Sequence, residues 1–150
     1  MGLDMYLNSK NYVKNWTHMS PEEKHVISIV KGDGSPTKID VSRISYVIEE
    51  IGYWRKANHI HRWFVENVQG GKDDCGDYYV DPDKLKELLA ICQQVKADHS
   101  LAATLLPTQK GFFFGGTEYD EYYFKDIDDT IRIIETAQNA DGDLHYHSSW

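Results

Sequence analysis

The stretch Tyr53-Trp54-Arg55-Lys56-Ala57-Asn58-His59-Ile60-His61-Arg62 carries three fixed cations and no acid. An arginine offers planar donors that match phosphate or carboxylate, and Trp or Tyr offers a plane for stacking. Read as a helix, the stretch puts Arg55, Asn58 and Arg62 on one face at i, i+3 and i+7. Trp54, Asn58 and His61 then share the neighbouring face. That combination suits a small anion carrying a flat ring, such as a nucleotide. The same residues also suit a plainer role, with the aromatics in the core and the cations paired to Glu49, Glu50, Glu66 or the acidic C-terminal half.

Two more segments could contribute. In Gly70-Gly71-Lys72-Asp73-Asp74-Cys75-Gly76-Asp77, glycines flank adjacent carboxylates. A tight loop there could bring Asp73 and Asp74 to a metal or a ligand hydroxyl, or could simply be a polar surface turn. The segment Gly111 to Tyr123 holds three consecutive Phe, paired glycines and three Tyr among acids. Phe114 could line a pocket, and the hydroxyls of Tyr119 and Tyr122 could bond a polar ligand. Plain core packing is the alternative.

Other patterns fall short. His59-x-His61 on a helix would splay its rings roughly 200° apart. His145-x-His147 on a strand would share a face, but no third metal ligand is identifiable. Lys31-Gly32-Asp33-Gly34-Ser35 lacks the spacing of a phosphate-binding loop. A Cys75 nucleophile with His61 as its base needs a spatial contact that sequence cannot supply. No cofactor or metal site is therefore assigned.

The chain has 150 residues, 41% hydrophobic and 27% charged, which fits one globular domain spanning 1–150. No apolar run approaches the roughly 20 residues of a membrane span. Residues 1–12 lack the basic start and apolar stretch of a secretion signal. Cys75 and Cys92 do not form a disulfide framework and read as free thiols of a reducing compartment. The net charge of −8 lies wholly in residues 76–150, which makes direct nucleic-acid binding unfavourable there.

The elements that would position these residues follow from spacing. Leu3, Met5 and Leu7 alternate as in a half-buried strand, and Leu144 to Trp150 does the same. Val26 to Val30 reads as another strand. Asp40 is placed to cap a helix carrying Ile44, Val47, Ile48 and Ile51, with Gly52 bending it before a second helix through Phe64. Gly70-Gly71 ends that helix. Tyr78 to Val80 is a short strand. Asp81 and Pro82 start a helix with Leu85, Leu88, Leu89, Cys92 and Val95 inside. Leu101 to Leu106 reads as a short apolar helix or turn, and Asp126 begins the last helix. The expected class is α+β: a small sheet containing both terminal strands, packed with about four helices.

Over these same segments the chain resembles a family of small proteins encoded by bacteriophages and prophages. The matching stretches are Met1 to Leu7, Gly52 to Asn58, Asp73 to Gly76 with Tyr78 to Val80, and Leu105 to Thr108 through Gly111–Gly115 to Tyr119–Tyr123. Ser148-Ser149-Trp150 looks like the family's C-terminus, which implies a complete chain. The resemblance implies a phage origin and action in the bacterial cytoplasm, and it carries over no catalytic residue. The sequence therefore leads to an expected non-catalytic binding protein that holds a small anionic, nucleotide-like host molecule, with a role against host defence. An acidic inhibitor of a host nucleic-acid-binding protein is one alternative. A small enzyme using Asp73, Asp74 or Cys75 with His61 is another. The expected partner is a small anionic ligand, with self-association left open.

Overall fold

The computed structural model describes residues 2–150; Met1, the first residue of the Met1–Leu7 stretch, lies outside the described residues. Four antiparallel strands form one sheet: β1 (Asp4–Tyr12), β2 (Tyr46–Arg55), β3 (Tyr78–Tyr79) and β4 (Asp143–Ser149). Their order is β2-β1-β4-β3, so the two terminal strands are neighbours in the middle of the sheet. Among the described residues four helices complete the fold: α1 (Asn58–Asn67), α2 (Pro82–Ala97), α3 (Ala102–Leu105) and α4 (Glu121–Ala137). The protein is a small α+β domain, as its patterning predicts.

Strand alternation decides which face is covered. Met5, Leu7 and Ser9 of β1 are buried, with Trp54 of β2 and Leu144, Tyr146 and Ser148 of β4. Tyr6, Asn8, His145 and His147 point the other way and stay half-exposed. The helices bury only the inner face. The Phe64 ring of α1 stacks on Tyr146 at 3.9 Å, and the Trp54 indole N–H donates to Thr130 Oγ1 of α4 at 2.9 Å.

Helix α2 begins where the sequence signals. Pro82 takes the first position, and the Asp81 carboxylate accepts the Asp83 N–H. Leu85, Leu88, Cys92 and Val95 then face the core. Helix α4 starts five residues earlier than the expected Asp126. Asp120 is the cap, accepting the N–H groups of both Tyr122 and Tyr123 at 3.1 Å. That lets Tyr123 join Ile127, Thr130 and Ile134 on the buried stripe.

The segment before Arg55 departs from the helical reading. Asp40 caps only a single 3₁₀ turn, Val41–Arg43, and residues 46–55 form β2. The β-branched Val47, Ile48 and Ile51 suit a strand, and β1 supplies the partner that tips the balance. Gly52 does not bend a helix; it sits opposite Leu7 on the inner face, and Ile51 bulges out because the register slips there. Val26 to Val30 is not a strand either. Only Val30 makes a bridge, to Pro36, and no longer partner runs alongside.

Candidate functional site

The site forms where β2 turns into α1. Arg55 pairs with Asp4 in the strand register, and Trp54 points inward. Lys56 then adopts a left-handed backbone, φ 58°, with its N–H held by the Leu3 carbonyl at 2.8 Å. Such a conformation is costly for a residue with a Cβ and persists only where its surroundings enforce it. It reverses the chain so that Asn58 opens α1.

Asn58 is buried and organises the aromatic loop. Its amide N–H groups donate to the carbonyls of Phe114 (3.0 Å) and Gly116 (2.8 Å), and its Oδ1 accepts the Gln109 N–H at 2.9 Å. One side chain thus pins a loop from Gln109 to Gly116. Gly115 has φ 87° and lies against Lys56, where an added Cβ would come within 3.0 Å of the Lys56 Cβ. Thr108 closes the loop's base, donating its hydroxyl to the Thr117 carbonyl at 2.9 Å and its N–H to the Tyr119 oxygen at 3.2 Å.

Between this loop, the start of α1 and the start of α4 lies a cavity of about 450 Å³. Arg55, Lys56, Glu118, Tyr122, Lys125 and Asp126 line it, with His59 and Tyr123. His59 is almost wholly buried, its ring stacks on Tyr123 at 4.0 Å, and its Nε2 has no hydrogen-bond partner. Burial pushes its pKa down to about 3, so the imidazole is neutral at physiological pH. Burial first, and then the charge of Asp129, raises Asp126 to about 7, so near neutrality its charge is partial. Lys125 is paired with Asp129 at 2.8 Å, whereas Arg55 and Lys56 make no ion pair among the described residues.

Of the residues singled out from sequence, the structure brings Arg55, Asn58 and Tyr122 to this cavity. Arg55 and Arg62 share no helix face, because Arg55 lies in β2; Arg62 instead pairs with Glu66 at 2.9 Å. Trp54 is core. Phe114 is buried edge-on to His61, and Tyr119 supports the loop at Thr108. Asp74 closes a turn by accepting from Tyr78 O–H and Gly76 N–H, which holds its carboxyl below the usual range. Lys56, His59, Glu118 and Asp126 were missed; the cation-rich stretch contained two of them, but only the strand-to-helix reversal aims them into one hollow.

His61 belongs to a separate buried chain of hydrogen bonds. Its Nε2 lies 3.0 Å from both Asp73 oxygens and its Nδ1 2.7 Å from Tyr146 Oη. A carboxylate only accepts, so Nε2 carries a proton, and Nδ1 shares the second hydrogen bond with the Tyr146 hydroxyl. Burial keeps that phenol protonated well above its usual range. Asp73 also accepts the Trp150 indole N–H at 3.0 Å. Both imidazole nitrogens are therefore engaged, and neither is free to serve Cys75 as a base. Cys75 is exposed, and Cys92 is buried, its thiol pushed up to about 12. His145 faces Asp77 and His147 stacks on Tyr6; among the described residues no group of three side chains could hold a metal ion.

Comparison of the chain with family models, with characterised proteins and with solved structures finds no match.

Proposed function

We propose that the protein is a non-catalytic binding protein whose cavity at the β2–α1 junction holds a small anionic ligand with a flat ring. The observation that carries this reading is the pair Arg55 and Lys56, adjacent cations without ion-pair partners among the described residues, at a hollow walled by the His59–Tyr123 stack. Unpaired cations accept phosphate or carboxylate without first breaking an internal salt bridge. A neutral imidazole with an unpartnered nitrogen adds one buried hydrogen-bonding position. The volume of about 450 Å³ falls within the range of small-molecule sites. The resemblance to phage and prophage proteins supports a ligand drawn from the host's nucleotides, whose sequestration would blunt a defence signal.

Native mass spectrometry of the gently purified protein, followed by titration with mono-, di- and cyclic nucleotides, tests the reading. A retained or titratable nucleotide at one per chain, lost in the Arg55→Ala/Lys56→Ala double variant, is the expected result. Equal binding by that variant, or no binding by any nucleotide at millimolar concentration, would overturn it.

A further inference from the structure

The cavity at the β2–α1 junction is lined by charges of both signs. Arg55 ends β2 and Lys56 follows it, Glu118 comes from the loop before α4, and Asp126 comes from α4 itself. None of these four makes an ion pair among the described residues. The remaining charged linings are occupied: Asp120 caps α4, and Lys125 pairs with Asp129. A plain anion would satisfy Arg55 and Lys56 and leave two carboxyls facing it, with a repulsive cost. Such a lining suits a ligand that is anionic at one end and carries N–H or O–H donors elsewhere, because a carboxylate only accepts.

The two carboxyls enter at different places. Gly115 packs against Lys56, and Glu118 Oε2 lies over Gly116 in the space a Cβ would take. Glu118 thus belongs to the loop that meets the cations. Asp126 follows Tyr122 by four residues and Tyr123 by three, so the three lie on one side of α4. The Tyr123 ring stacks on His59, which is 3% exposed and leaves Nε2 without a partner among the described residues. That nitrogen is a buried polar position in the wall that the chain itself does not fill.

We infer that the ligand is a guanine nucleotide, with its phosphate on Arg55 and Lys56, its ribose hydroxyls on Glu118 and its base edge on Asp126. This assignment rests on the nucleotide site proposed above and deepens it by naming the base. Among the common bases guanine alone presents adjacent N1–H and N2–H donors, which match the paired oxygens of one carboxylate. Adenine and cytosine set a ring-nitrogen acceptor beside their amino donor. Uracil flanks its single N–H with carbonyls. Each of these would turn an acceptor towards an Asp126 oxygen.

Isothermal titration calorimetry tests the assignment with guanosine, inosine, xanthosine and adenosine nucleotides in matched mono-, di- and cyclic phosphate forms. A buffer of about pH 8 lies above the value of about 7 to which burial raises Asp126, so its carboxylate is mostly ionised. The guanosine form should bind at least about tenfold more tightly than the adenosine form. The inosine form should fall between them, because it keeps N1–H and lacks the amino group. Asp126→Asn should bind the guanosine form at least about tenfold more weakly and the xanthosine form more tightly, since an amide matches the N1–H and C2 carbonyl of xanthine with one acceptor and one donor. A merely structural role for Asp126 would not exchange one base for the other. The first comparison uses the unaltered chain, so it decides the question even where Asp126→Asn fails to fold. Equal affinity for guanosine and adenosine forms, or a guanine preference that survives in folded Asp126→Asn, would overturn this assignment and leave the nucleotide site standing. Binding of none of these nucleotides at millimolar concentration would overturn both.

Discussion

Asn58 and His59 are adjacent, and their side chains do opposite things. Asn58 satisfies three backbone groups of the aromatic loop. Asn58→Ala would leave those buried groups unpaired, at about 1–3 kcal/mol. Urea denaturation should show that loss, and Asn58→Asp should also be destabilised because two donors disappear. His59 leaves a nitrogen unpaired among the described residues, and it lines the same cavity as Asp126, whose carboxyl burial raises to about 7. The two groups titrate in overlapping windows with opposite signs. The pKa of His59 falls from 6.5 unfolded to about 3 folded, so the unfolded chain binds the extra proton between those values and stability rises with pH. Asp126 rises from 3.8 to about 7, so the folded chain holds the extra proton and stability falls as pH climbs through that range. Between roughly pH 4 and 6.5 the two slopes oppose each other. His59→Phe should tilt the stability profile downward with rising pH, and Asp126→Asn should tilt it upward. Denaturation midpoints from pH 4 to 7 measure both, and parallel profiles for the two variants would refute the assignment.

At the scale of elements, the legible parts were those whose signal is local. Asp81-Pro82 starts α2, Gly70-Gly71 follows α1 with φ of 61° and 83°, and the alternation at each terminus gives β1 and β4. The misread part was decided by a partner distant in sequence. Ile44, Val47, Ile48 and Ile51 fit a helical spacing by coincidence, but Val47 and Ile48 pair with β1 in a strand that carries Ile51 as its bulge and starts after Ile44, so the face shared by Arg55 and Arg62 disappears. For the same reason Arg55 and Asn58, singled out in the sequence, line the cavity together with residues the sequence did not single out, Glu118 from the preceding loop and Asp126 from α4. Gly52 shows how closely strand and helix meet: a Cβ there would lie 2.3 Å from Ile133 Cγ2. Gly52→Ala should therefore force α4 away from β2 and cost about 1–3 kcal/mol. Restoring space with Gly52→Ala/Ile133→Ala should recover part of that loss, as a double-mutant cycle by chemical denaturation would show.

On the scale of the whole molecule, stability and the excursion between β1 and β2 are separable. The core residues come from the sheet's inner face, the helices and the loop around Phe114, and none comes from residues 14–44. The excursion leaves and re-enters at one place, because Val13 N–H bonds the Ser45 carbonyl at 2.9 Å and Tyr12 pairs with Tyr46. Two antiparallel strands with ends so placed can be joined by a tight two-residue turn. Replacing residues 14–44 with Asn-Gly should give a folded domain that retains the β2–α1 cavity. Its melting temperature should match or exceed that of the full chain, since shortening a loop reduces closure entropy by about 0.6 kcal/mol per halving. Nucleotide titration should be unchanged, because no cavity residue lies in the excised segment. A shortened chain that unfolds would show that the excursion contributes to the domain's stability.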